Sequence, residues 1–126
     1  MSLINPCKTC LVIIDVQPEY WTNCNDIRKD FPEFPNNCSK MISIARSLKY
    51  KIIWVRVDLK LISYLRALGI DTVLVSGLIT SVCVQHSAFG LFEEGFRTIV
   101  ITDACADRGR DRHNKTISLY GNYMYE

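Results

Sequence analysis

At 126 residues the chain has the length of one domain, able to bury roughly two-thirds of the surface that its unfolded form exposes. Fifteen basic against thirteen acidic side chains leave a formal charge of +2, scattered rather than gathered on one face, which argues against nucleic acid as a partner. No charged start leads into a long apolar segment and the apolar runs are strand-length, so neither secretion nor a membrane partner is indicated; a cytoplasmic chain whose six cysteines stay reduced is expected.

In chain order, Cys7 and Cys10 form a CxxC, but Cys24 and Cys38 supply no second pair of the kind structural zinc sites use. Leu11 to Ile14 reads as a buried strand closed by Asp15. Gln17 to Asn37 carries Pro18, Pro32 and Pro35 among Asn, Asp and aromatic residues, which predicts a long irregular connection. Its Tyr20, Trp21, Phe31 and Phe34 either wall a pocket or anchor the loop to the core. Helical periodicity covers Ser39 to Leu48, Leu61 to Leu68 and Val82 to Glu94, and strands are predicted at Ile52 to Val57, Thr72 to Val75 and Thr98 to Ile101. Arg112 to Tyr120 suggests a last helix before an edge strand at Asn122 to Glu126. Such alternation predicts a single domain over residues 1–126 with a three-layer Rossmann-like α/β fold, a central and mainly parallel sheet flanked by helices. Parallel strands end at one edge, so Asp15 and Cys83 should meet at the carboxyl rim.

Cys83 follows an apolar strand, one glycine and a Thr-Ser pair, and stands near the start of a helix whose N–H groups and dipole favour a thiolate. It is the candidate nucleophile and, on this reading, the thiol most prone to alkylation; the alternative is a small hydrophobe packed at a helix start. Asp15 is a candidate base, or a strand-end cap. His86 shares a helical face with Cys83, so a Cys-His dyad is conceivable. A phosphatase loop would need arginine six residues after its cysteine, where Phe89 and Asp111 stand after Cys83 and Cys105. No glycine-rich turn follows the first strand, so no dinucleotide cofactor is expected. Asp103 is expected to tie the rim by hydrogen bonds. Arg108, Arg110 and Arg112, alternating with Asp107 and Asp111, read as a solvated loop or an anion site, and His113 has no geometry that the sequence fixes.

Three stretches, LVIIDVQ (Leu11 to Gln17), YLRALGIDTVLVSGLITSVCV (Tyr64 to Val84) and AFGLFEEGFRTIVITDACADR (Ala88 to Arg108), resemble the isochorismatase-like cysteine hydrolases, relatives of nicotinamidases and N-carbamoylsarcosine amidases. The resemblance implies hydrolysis of a small amide or isochorismate-like substrate by Cys83 as nucleophile with Asp15 as base, and backbone N–H groups of Ile79 and Cys83 as the oxyanion hole. It further implies a cis peptide between Leu78 and Ile79; a substrate pocket that includes Gln17, Tyr20 and Trp21 is expected in the loop after Asp15. A small-molecule substrate and a homo-oligomer are expected. Neither histidine lies in the Asp-x-His cluster that holds the nicotinamidase metal, so no metal and no cofactor is expected. The family inserts a longer segment with its catalytic lysine between Val57 and Tyr64, where this chain offers only Lys60. A non-catalytic domain of the same fold, kept for binding or assembly, is therefore the second expectation.

Overall fold

The computed structural model describes residues 4–16, 24–55 and 60–126. After a short 3-10 turn at Pro6–Lys8, the elements are β1 (Thr9–Ile14), α1 (Asn25–Asp30), α2 (Phe34–Ser47), β2 (Lys51–Val55), α3 (Leu61–Ala67), β3 (Thr72–Leu78), a π-helical turn (Thr80–Val84) running into α4 (Gln85–Glu93), β4 (Arg97–Ala106) and α5 (Arg110–Tyr120). The sheet order is β2-β1-β3-β4, every neighbouring pair parallel. Both faces of β1 are covered, so all six of its residues are buried and its sequence is continuously apolar after Thr9.

Alternation along β1 divides the core. Cys10, Val12 and Ile14 pack with Leu65 of α3 and Ala88 and Leu91 of α4, while Leu11 and Ile13 pack with Ala45 of α2. The result is the three-layer α/β arrangement that the sequence predicts. In the register, Ile14 faces Val55 on one side and Gly77 on the other, which puts the end of β1 at the middle of the carboxyl rim.

Gly77 is required there. Its φ is +125°, and a Cβ would lie 2.0 Å from the Ile14 carbonyl oxygen. No real Cβ approaches backbone that closely, so only glycine lets β3 lie against the residue preceding Asp15.

Several boundaries differ from the sequence reading. The expected irregular connection contains α1 and the first turn of α2, because Ile27, Phe31, Phe34 and Cys38 bury against Leu78, Ile79, Ala104 and Ala106. Phe31 and Phe34 are thus core anchors, not pocket walls, and that burial outweighs the local prolines. β4 continues past Asp103 to Ala106, and the helix after β3 begins with the π-turn two residues before Val82. The expected edge strand at Asn122 to Glu126 reduces to one bridge, Gly121 with Tyr125, plus two backbone bonds, Glu126 N–H donating to the Thr98 carbonyl and Val100 N–H to the Glu126 carbonyl. Gln17, Tyr20, Trp21 and the expected end of β2 at Val57 lie outside the described residues.

Candidate active site

Asp15 is the first residue past β1; its N–H donates to the Val55 carbonyl at 2.9 Å and its φ is +49°. This backbone turn leaves the carboxylate 2% exposed at the rim. Carboxylates tolerate this left-handed region better than most side chains, because their short polar group bonds locally. On the neighbouring strand, β3 passes through Gly77 and Leu78 into a cis peptide between Leu78 and Ile79. The π-turn then carries Cys83, half-buried, against Asp15.

The Asp15 carboxylate lies beside the thiol, close enough to act on it as an acceptor and as a charge. Burial pushes the Cys83 pKa up to about 11, and the acceptor and negative charge of Asp15 act in the same direction. The backbone N–H groups of Ile79 and Cys83 act oppositely and favour the thiolate. These surroundings work against the thiolate that a helix start favours. Desolvation and a neighbouring anion outweigh the N–H groups of the turn, and the proton stays on sulfur near neutral pH.

Asp15 and Cys83 lie side by side in the wall of a cavity of about 370 Å³. Ile14, Val55, Leu61, Ile62 and Val82 give it an apolar lining, and His86 and Ser87 add polar groups. His86 is exposed and its Nδ1 donates to the Val82 carbonyl at 2.9 Å; it is not among the groups that set the Cys83 pKa, which argues against a Cys-His dyad. Lys60 is exposed at the start of α3 and is not one of the residues lining the cavity. Among the described residues no cluster of three or more His, Cys, Asp or Glu side chains could hold a metal ion.

The isochorismatase domain model matches residues 57–124, just over half of the chain. The chain belongs to the isochorismatase family. This isochorismatase-family chain is 39% identical over 64 residues to maleamate amidohydrolase of Pseudomonas putida, a match covering 48% of the chain and 30% of that relative's length. Its fold superposes on the cysteine hydrolase of Pseudomonas syringae with a TM-score of 0.83 at 14% identity, covering 98% of the chain and 89% of that structure. It also superposes on the YcaC gene product of Escherichia coli, an octameric hydrolase of unknown specificity, with a TM-score of 0.67 at 15% identity, covering 92% and 72%.

Two groups beside the nucleophile turn escaped the sequence reading. Asp107, not Asp103, is the carboxylate that ties the rim: Oδ2 accepts from Ser81 N and Oδ1 from Arg108 N, both at 2.7 Å. Asp103 contributes its backbone carbonyl, which accepts from Asn37 Nδ2 at 2.7 Å. The clue was available, since Asp107 follows an apolar strand as Asp15 does. His113, expected to lack fixed geometry, is 5% exposed, and its Nδ1 lies 2.8 Å from Thr80 Oγ1. Arg110 is not a purely solvated loop residue either. Its guanidinium donates to the Asp30 carbonyl at 2.6 Å and to Glu33 Oε1 at 2.7 Å, and lies 3.9 Å over the Phe31 ring.

Proposed function

We propose that this isochorismatase-family domain hydrolyses a small amide through Cys83 as nucleophile and Asp15 as base. The observation that carries the reading is a thiol beside a buried carboxylate in the wall of an apolar cavity, with the backbone N–H groups of Ile79 and Cys83 acting on the same sulfur. Asp15 takes the thiol proton as sulfur attacks the amide carbon, and the N–H groups of Ile79 and Cys83 receive the developing oxyanion. The tetrahedral intermediate collapses as Asp15 returns the proton to the leaving nitrogen, which releases amine or ammonia and leaves a thioester on Cys83. Asp15 then deprotonates a water that attacks the thioester, which yields the free acid and restores the thiol. The match to maleamate amidohydrolase supports an amide over an isochorismate-like ether.

With its pKa pushed up to about 11 the thiol rests protonated near pH 7, which favours attack coupled to proton transfer to Asp15. Lys60, exposed at the start of α3, is not among the residues that line the cavity, and on this reading turnover is slow. The same two features favour the second reading, a non-catalytic domain that binds small molecules in the cavity. Incubation with a panel of small primary amides separates the two readings. Ammonia release together with an acyl adduct on Cys83, both lost in Cys83→Ala, supports hydrolysis; a panel without turnover or adduct refutes it.

No helix among the described residues is long and apolar enough to cross a membrane. All six cysteines are free thiols, which supports a reducing, cytoplasmic setting. Assembly into a homo-oligomer is supported by the octameric YcaC fold relative.

A further inference from the structure

The nucleophile turn has no capping bond from its own N-cap side chain and is held from outside. Ser81 N–H donates to Asp107 Oδ2, and the buried Thr80 hydroxyl donates to the Ala106 carbonyl at 3.2 Å. With the hydroxyl proton on that carbonyl, which only accepts, Thr80 Oγ1 would accept from His113 Nδ1 at 2.8 Å, the arrangement of a neutral ring protonated at Nδ1 with Nε2 bare. The ring is pinned edge-on against Phe31, whose face is covered by Arg110.

We propose that His113 is a positioning residue for the reaction: its Nδ1–H, acting through Thr80 as a latch, fixes the turn that presents the Ile79 and Cys83 N–H groups. The kinetic part rests on the reading of Cys83 as nucleophile; the latch itself does not. The charged groups around His113 are Arg110 on its own helix, Asp107 preceding that helix, and Glu33 ahead of α2. Protonation would put a second cation beside Arg110 in an almost fully buried site. Burial first, and Arg110 second, hold the imidazole below its ordinary 6.5, against the smaller pull of Asp107 and Glu33.

Imidazole nitrogen NMR of the intact protein at pH 7.5 is expected to show the Nδ1–H tautomer; an Nε2–H tautomer overturns the latch. In an active parent, Thr80→Val, nearly isosteric, should lower kcat about fivefold, the effect of one ordinary hydrogen bond, with KM within about twofold. His113→Asn, which keeps a donor near Nδ1, should retain more turnover than His113→Leu. Unchanged kcat in Thr80→Val, or a His113→Asn variant no more active than His113→Leu, overturns the proposal. If the parent hydrolyses no amide, the nucleophile reading fails by itself. The latch is then judged by Cys83 alkylation at pH 9, which should slow about fivefold in Thr80→Val as the N–H groups lose alignment; an unchanged rate overturns it.

Discussion

Replacing Gly77 by alanine tests how the carboxyl rim is built. The added methyl would lie 2.0 Å from the Ile14 oxygen, 2.7 Å from its nitrogen and 2.8 Å from its carbonyl carbon, all backbone of the most buried strand. Overpacking of this kind costs about 1–3 kcal/mol, and a side chain held at φ +125° adds about 1–3 kcal/mol more. A combined loss of about 4 kcal/mol is a large part of the roughly 6–19 kcal/mol expected for a domain of this length. At about 2.1 cal/mol/K of unfolding entropy per residue, it lowers Tm by about 15 °C. Since Ile14 precedes Asp15, relief of the clash also shifts the carboxylate away from Cys83. Circular dichroism melting checks the first effect and the Cys83 alkylation rate the second. A Gly77→Ala protein that melts within about 3 °C of the parent would refute the close approach of β3 to β1.

Other outcomes follow from the same geometry. Alkylation of Cys83 should rise with pH toward a midpoint of about 11 and trail that of the exposed Cys7 near neutrality; competitive iodoacetamide labelling with mass spectrometry reads both. Asp15→Asn removes the carboxylate that holds the thiol proton, so Cys83 should label roughly tenfold faster at pH 8 while amide turnover is lost; no acceleration would sink the action of Asp15 on the thiol. Because the folded pKa of His113 lies below its unfolded value, its contribution to stability is complete above about pH 6.5 and is lost as pH falls through the folded value. Denaturant titrations should show this loss reduced in His113→Asn. Lys60→Ala should change turnover by no more than about threefold, since the side chain lies outside the cavity lining; a loss of a hundredfold would bring its ammonium to the reaction centre.

By itself the sequence determined the layers, the strand direction and the meeting of Asp15 with Cys83. These follow from local patterns: β-branched apolar runs make doubly buried strands, helical periodicity between them forces parallel crossovers, and parallel strands share an edge. Gly77 was also legible as the glycine of the strand-to-turn passage, although the backbone atom it must avoid was not. Tertiary structure decided the rest. Phe31, Phe34 and His113 sit in polar, proline-marked or basic stretches, and only the surfaces of Leu78, Ala106 and Thr80 make burying them favourable. The ionisation of Cys83 depends on tertiary structure for the same reason. A helix start is visible in the neighbouring residues, whereas desolvation and the Asp15 charge arrive from a strand distant in sequence, and a pKa sums over neighbours in space.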